Sequence, residues 1–139
     1  MILLWSLVAA AQTIQELIPR ERPDTPEGLI ADLQDGRSPD QLYAVRELRR
    51  LARISLSDVK HRDPIRSMEA RQFLVVFDDK LAPICIENLP DTKLTRPCAD
   101  ILGLLETESA LPALNAVLPD TRRGTRRHVE RAIHAIEES

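Results

Sequence analysis

From Pro26 onward, apolar residues return every three or four positions in segments parted by short polar turns, and each segment reads as an amphipathic helix. The first covers 26–34, with Thr25 placed to cap it and Pro26 at the first helical position, where its missing N–H does no harm. After the turn at Asp35-Gly36-Arg37, Ser38 and Pro39 open a second helix over 39–54. It carries Leu42, Val45, Leu48 and Ala52 on one face and Arg46, Arg49, Arg50 and Arg53 on another. A short helix or mere turn fits within "SLSDVKH", and a longer helix starts at Pro64, with Ile65, Met68, Phe73, Leu74 and Phe77 as its expected core. "LAPICIENL" and "KLTRPCADILGLL" follow, then "ALPALNAVL" and "RRGTRRHVERAIHAI", whose last core residues are Ile133 and Ile136.

These segments repeat. Leu89-Pro90-Asp91-Thr92 returns as Leu118-Pro119-Asp120-Thr121, 29 residues on, and Pro83 and Pro112 are also 29 apart. Asp35, Asp63, Asp91 and Asp120 stand 28, 28 and 29 residues apart, each ahead of a helix-like segment. A fixed period of this length is the mark of stacked supersecondary units. The expected units are about 26–54, 55–78, 79–106 and 107–139, all α-helical.

The residues before them differ. Met1–Ala11 is apolar throughout and ends in small residues, which fits a secretory signal peptide cleaved before Gln12 and hence an exported, periplasmic or extracellular protein. No Lys or Arg precedes the apolar run, so an ordinary first helix packing on the array is the other reading. Gln12, Gln15 and Glu16 interrupt the run before it reaches the length of a membrane span. Residues 12–25 read as a lead and a proline- and charge-rich linker.

Composition narrows the interior. Aromatics make up only 3% of the chain, so Ala, Leu and Ile must fill the core, which suits closely packed helices. A net charge of −3 does not suggest a nucleic-acid protein. Its distribution is uneven: the second helix of each unit (39–54, 62–77, 92–105 and 121–137) together holds 14 of the 19 Lys and Arg and 7 of the 22 Asp and Glu, leaving −10 for the rest of the chain.

The units "LAPICIENLPDTKLTRPCADILGLL" and "ALPALNAVLPDTRRGTRRHVERAIHAI" resemble HEAT-like repeats, most closely the short kind first described in phycobilisome lyases. Leu111-Pro112-Ala113-Leu114, Leu118-Pro119-Asp120 and the pairs Ile65-Arg66 and Val45-Arg46 carry the likeness, over about residues 26–137. Thr95-Arg96 in place of an apolar-Arg pair, Pro97, and the polar Arg126-Arg127-His128 depart from it. The resemblance implies an all-α, right-handed solenoid of about four helix-turn-helix repeats, with the second helices lining its concave side. That side would then be basic, with Arg46, Arg49, Arg50, Arg53, Arg122, Arg123, Arg126 and Arg127 as candidate binding residues for an acidic protein segment. A nucleic-acid or phosphate partner, in an intracellular protein, is the alternative, disfavoured by the lack of stacking aromatics other than Tyr43 on the basic helices. An Arg near the start of a second helix has a structural reading too, Arg66 pairing with Asp63 or Asp91.

Some relatives of this repeat class hold a di-iron centre through His-Glu dipeptides; here His61, His128 and His134 are followed by Arg, Val and Ala, so no metal or other cofactor is expected. His128 and His134 are six apart, off a shared helical face. With no Gly-x-Ser-x-Gly elbow and no glycine-rich phosphate loop, the chain is read as a non-catalytic interaction module. Cys85 and Cys98 fall one on each helix of the third unit, face to face across the turn. In an exported protein they would form a disulfide; in a cytosolic one they would be buried thiols.

Overall fold

A computed structural model describes residues 22–139, so the expected signal segment 1–11 and most of the lead lie outside the described residues. Every regular element described is helical: α1 Pro26–Asp35, α2 Ser38–Val59, α3 Pro64–Asn88, α4 Thr95–Leu104, α5 Leu111–Val117 and α6 Arg123–Glu137. Short 3₁₀ turns, Glu108–Ala110 and Leu118–Asp120, lead into and out of α5.

Local chemistry sets most of the boundaries. Thr25 caps α1, its hydroxyl accepting from the Gly28 N–H at 3.2 Å. Asp63 does the same for α3, accepting from the Ile65 N–H at 3.0 Å, with Pro64 behind it. The N-cap of α2 is Arg37 rather than Ser38, without a side-chain bond. The Leu-Pro-Asp-Thr turn before α4 is locked by Thr95, whose buried hydroxyl lies 2.6 Å from the Leu89 carbonyl and 2.8 Å from that of Asp91. That explains why a polar Thr stands where the repeat pattern has an apolar residue. At its other end α4 stops in a Schellman arrangement: Glu106 takes φ 53°, and the Glu106 and Thr107 N–H groups reach back to Gly103 and Leu102.

Two elements run further than the sequence pattern indicates. α2 continues to Val59 and absorbs the first five residues of "SLSDVKH", and α3 runs unbroken over 25 residues, across the boundary expected near 78. Neither stretch contains a residue that stops a helix before the next turn. Across 77–85 the buried face simply continues, through Phe77, Leu81, Ala82, Ile84 and Cys85. Pro83 lies inside α3 on its exposed side, removing one N–H from the ladder without ending the helix. The expected core of α3 is therefore only partly right. Phe77 is buried and Phe73 and Leu74 are half-buried, but Ile65 and Met68 are 63% and 53% exposed.

α4 packs against α2 on one side and α6 on the other, while α3 packs on α1, α2 and α4, and α5 on α6. One core joins them, from Leu29 and Leu33 of α1 through Leu48, Leu81, Leu102 and Leu114 to Val129 and Ile136 of α6. Each such fully buried side chain stabilises the fold by roughly 1.5–3 kcal/mol. Small residues set the closest crossing: a methyl group on Gly103 would come within 2.9 Å of the Ala132 Cα, so α4 and α6 meet backbone to backbone there.

The disulfide expected between Cys85 and Cys98 is not formed. Both are free, fully buried thiols. They do face one another across the α3–α4 turn, and the hydrogen bond with Cys98, then burial, push the Cys85 thiol well above its ordinary value. Both factors favour the protonated thiol, so the pair packs as two small apolar groups.

Candidate partner-binding face

The surface shared by α2, α4 and α6 is built around one carboxylate. Asp100, on α4, accepts from Arg49 Nη1 of α2 at 2.9 Å on one oxygen and from His128 Nδ1 of α6 at 2.7 Å on the other. An ionised carboxylate can only accept, so Nδ1 of His128 carries the proton. The Asp100 side chain is only 9% exposed, against 23% for Arg49 and 18% for His128, so the clamp is mostly withdrawn from water and holds three helices in register. Asp100 and His128 are one repeat period apart. A second side-chain bond of that kind, Thr107 Oγ1 donating to Asp78 Oδ1 at 2.7 Å, ties the end of α4 to α3 across 29 residues.

Beside the clamp lies a cleft of about 230 Å³. Ala99, Gly103, Ala132 and Ala135 form its floor, and Arg53, Asp100, His128 and Arg131 supply its polar walls. The close crossing at Gly103 keeps the floor shallow. Arg53 and Arg131, from helices on opposite sides, have no ion pair among the described residues. Because Asp100 is occupied by two donors, the cleft presents cations without a competing acceptor.

The eight arginines singled out from the sequence separate on this face. Arg53 lines the cleft, Arg49 is held by Asp100, and Arg46 is exposed on the same side of α2. Arg50 turns aside to Glu47, with Nε at 3.1 Å and Nη2 at 2.8 Å from the same oxygen, and that hydrogen bond pushes its already high pKa further up. On α6, at about 100° per residue, Arg127 stands at the edge of the face that presents His128 and Arg131, while Arg126 points away and Arg123 to the side. Arg122 belongs elsewhere. It lines a second groove, of about 670 Å³, between the two Leu-Pro-Asp-Thr turns, with Lys93, Thr92, Thr121 and Asp120.

Arg66 pairs with neither turn aspartate but with Asp58 Oδ1, at 3.1 Å. Asp63 and Asp91 are used locally, accepting from the Ile65 and Lys93 N–H groups, so no ladder of arginines and turn aspartates forms. Sequence reasoning missed Asp100, Gly103 and Arg131, and gave His128 no role. The one available signal was the 28-residue spacing of Asp100 and His128 on successive second helices.

Among the described residues no group of three His, Cys, Asp or Glu could hold a metal ion, and no helix is long and apolar enough to cross a membrane. Comparison with known proteins supplies no template: no family model matches, and neither a curated protein nor a solved structure is significantly similar.

Proposed function

We propose that this chain is a short HEAT-like α-solenoid acting as a non-catalytic interaction module, and that the α2–α4–α6 face receives an acidic segment of a partner protein. The observation that carries the reading is the cleft at Asp100: its only carboxylate is satisfied from within, leaving Arg53 and Arg131 to face outward from two helices. Planar guanidinium groups held this way take carboxylates in two-pronged hydrogen bonds, and Arg46, Arg96 and Arg127 nearby extend the positive field along the face. The repeat reading draws support from the two side-chain bonds made one period apart and from the central place of α4 between α2 and α6.

The test is titration of a labelled oligoglutamate peptide into isotopically labelled protein, followed by amide chemical shifts, with a single-stranded oligonucleotide as the second probe. The expected result is perturbation centred on α2, α4 and α6, with affinity falling about tenfold or more in the Arg53→Glu/Arg131→Glu double variant. Arg49 is left intact in this design, since replacing it would disturb the Asp100 clamp as well as the charge. Shifts elsewhere, or equal affinity of the double variant, overturn the assignment of the face. Oligonucleotide binding that outcompetes the peptide and weakens steeply with salt would shift the reading to a nucleic-acid partner.

A further inference from the structure

α3 is apolar on two opposite sides. One side is the core face, and the other bears Ile65, Met68, Val75 and Val76, which are 63%, 53%, 70% and 51% exposed. At about 100° per residue these four, with Gln72, Asp79 and Pro83, form a single stripe pointing away from the core. The stripe spans roughly 27 Å, from the helical rise over 65–83. Gln72 and Asp79 interrupt it, yet four of the five large apolar residues that stand exposed among the described residues gather on this one side. Scattered exposed apolar residues need no account, but such a gathering marks a surface to be covered.

We propose that the stripe is covered by the same stripe of a second copy, the two α3 helices packing antiparallel about a two-fold axis near the 74–75 peptide bond. The charges flanking the stripe argue for this partner. A two-fold at that point sets residue i of one copy opposite residue 149 minus i of the other. On one flank Glu69 then faces Lys80 of the second copy. On the other flank Arg71 faces Asp78, whose Oδ1 already accepts from Thr107 within the chain, while Asp79 stands within the stripe itself. Both flanking pairs are of opposite sign, and none of Glu69, Arg71 or Lys80 has an ion pair within the chain among the described residues. The apolar side chains interdigitate in the same register: Ile65 falls between Pro83 and Ile86 of the other copy, and Val75 between Gln72 and Val76. A self-complementary patch is what an isologous interface requires. A foreign partner would give no reason for the charges to mirror themselves about the middle of one helix.

The pairing uses the side of α3 turned away from α2 and α4, so the Asp100 cleft stays open and the two readings fail separately. Sedimentation equilibrium on the full chain reads the first. Dimers are expected, and Val76→Glu should weaken association about tenfold or more while circular dichroism stays unchanged. Charge reversal reads the register. Glu69→Lys sets two lysines opposite each other and Lys80→Glu two glutamates, so each variant alone should be mostly monomeric. An equimolar mixture of the two should form heterodimers, and the Glu69→Lys/Lys80→Glu chain should dimerise again. Monomers at every concentration overturn the proposal, leaving the stripe to the chain's own apolar residues 1–11 or to a different protein. Dimers indifferent to both charge reversals overturn the antiparallel register.

Discussion

Replacing Gly103 by Ala sets two effects of known sign against each other. Glycine inside a helix costs about 1 kcal/mol relative to alanine, so at an open position the substitution stabilises. At Gly103 the new methyl group would lie 2.9 Å from the Ala132 Cα and 3.1 Å from its Cβ. The closer neighbour is backbone and cannot swing aside, so α4 and α6 must separate, at the upper end of the roughly 1–3 kcal/mol that overpacking costs. The expected net loss is about 1–2 kcal/mol. Gly124, in the first turn of α6, has nothing within 4 Å of the corresponding point and is the internal control. Gly124→Ala should stabilise by about 0.5 kcal/mol. Urea denaturation followed by circular dichroism resolves both, since about 1–2 kcal/mol moves the midpoint by roughly 0.5–1 M in a protein of this size. Adding Ala132→Gly relieves the clash with the side chain but leaves the one with the backbone and puts a glycine into α6, so the double variant should lose less than the sum of the two single variants. If Gly103→Ala stabilises as Gly124→Ala does, the close crossing is not a constraint, and the shallow floor of the cleft loses its explanation.

Two further substitutions and a labelling experiment probe the same framework. Asp100→Asn keeps the shape but removes the charge that Arg49 and His128 both address, and should cost about 2–3 kcal/mol, read from the same urea transitions; an unchanged midpoint would mean the clamp contributes nothing. Arg50→Ala, which loses only an exposed contact to Glu47, should shift the midpoint by far less, near the limit of detection. Cys85 and Cys98 should resist a thiol-specific chromophoric disulfide reagent in the folded protein and react fully in urea. Because the Cys85 pKa is raised in the folded state, its contribution to stability holds below the ordinary thiol value of 9.0 and is lost as pH rises above it, so the urea midpoint should fall on the alkaline side. Fast labelling at neutral pH, without unfolding, would contradict the packing at these two positions.

How much could be read from the sequence depends on whether local chemistry or long-range packing decides each feature. The starts of α1 and α3 were legible because Thr25-Pro26 and Asp63-Pro64 specify their caps within a few residues. The turn at Pro90–Thr92 was legible because it occurs twice. The ends of α2 and the middle of α3 were not, since the repeat period asked for turns where "SLSDVKH" and "FDDKLA" hold no Gly or Pro to enforce them, and the helices ran on. The candidate face was half legible for a related reason. A run of arginines at helical spacing marks a basic side, but which of them is consumed depends on residues 51 positions away, as Arg49 and Asp100 are. Asp100 itself is one of two charged residues on α4, with Arg96, and looks like ordinary solvated charge until α2 and α6 close on it.

The place where the repeat pattern fails and the place where apolar surface emerges are the same. Reading 64–77 as the second helix of a repeat makes Ile65 and Met68 core residues, since another helix would follow and fold back over them. α3 instead continues straight into the segment meant to fold back, so among the described residues nothing covers that side of its first half. Two branched residues in succession, Val75 and Val76, are left 70% and 51% exposed. They lie inside flanks whose charges mirror each other about the 74–75 bond. The pattern was wrong about Ile65 and Met68, which are exposed in the chain; the pairing proposed above would cover them from a second copy. Val75→Lys/Val76→Lys separates the two accounts: an idle stripe would tolerate the change with unaltered sedimentation, whereas a self-pairing one should yield folded monomers.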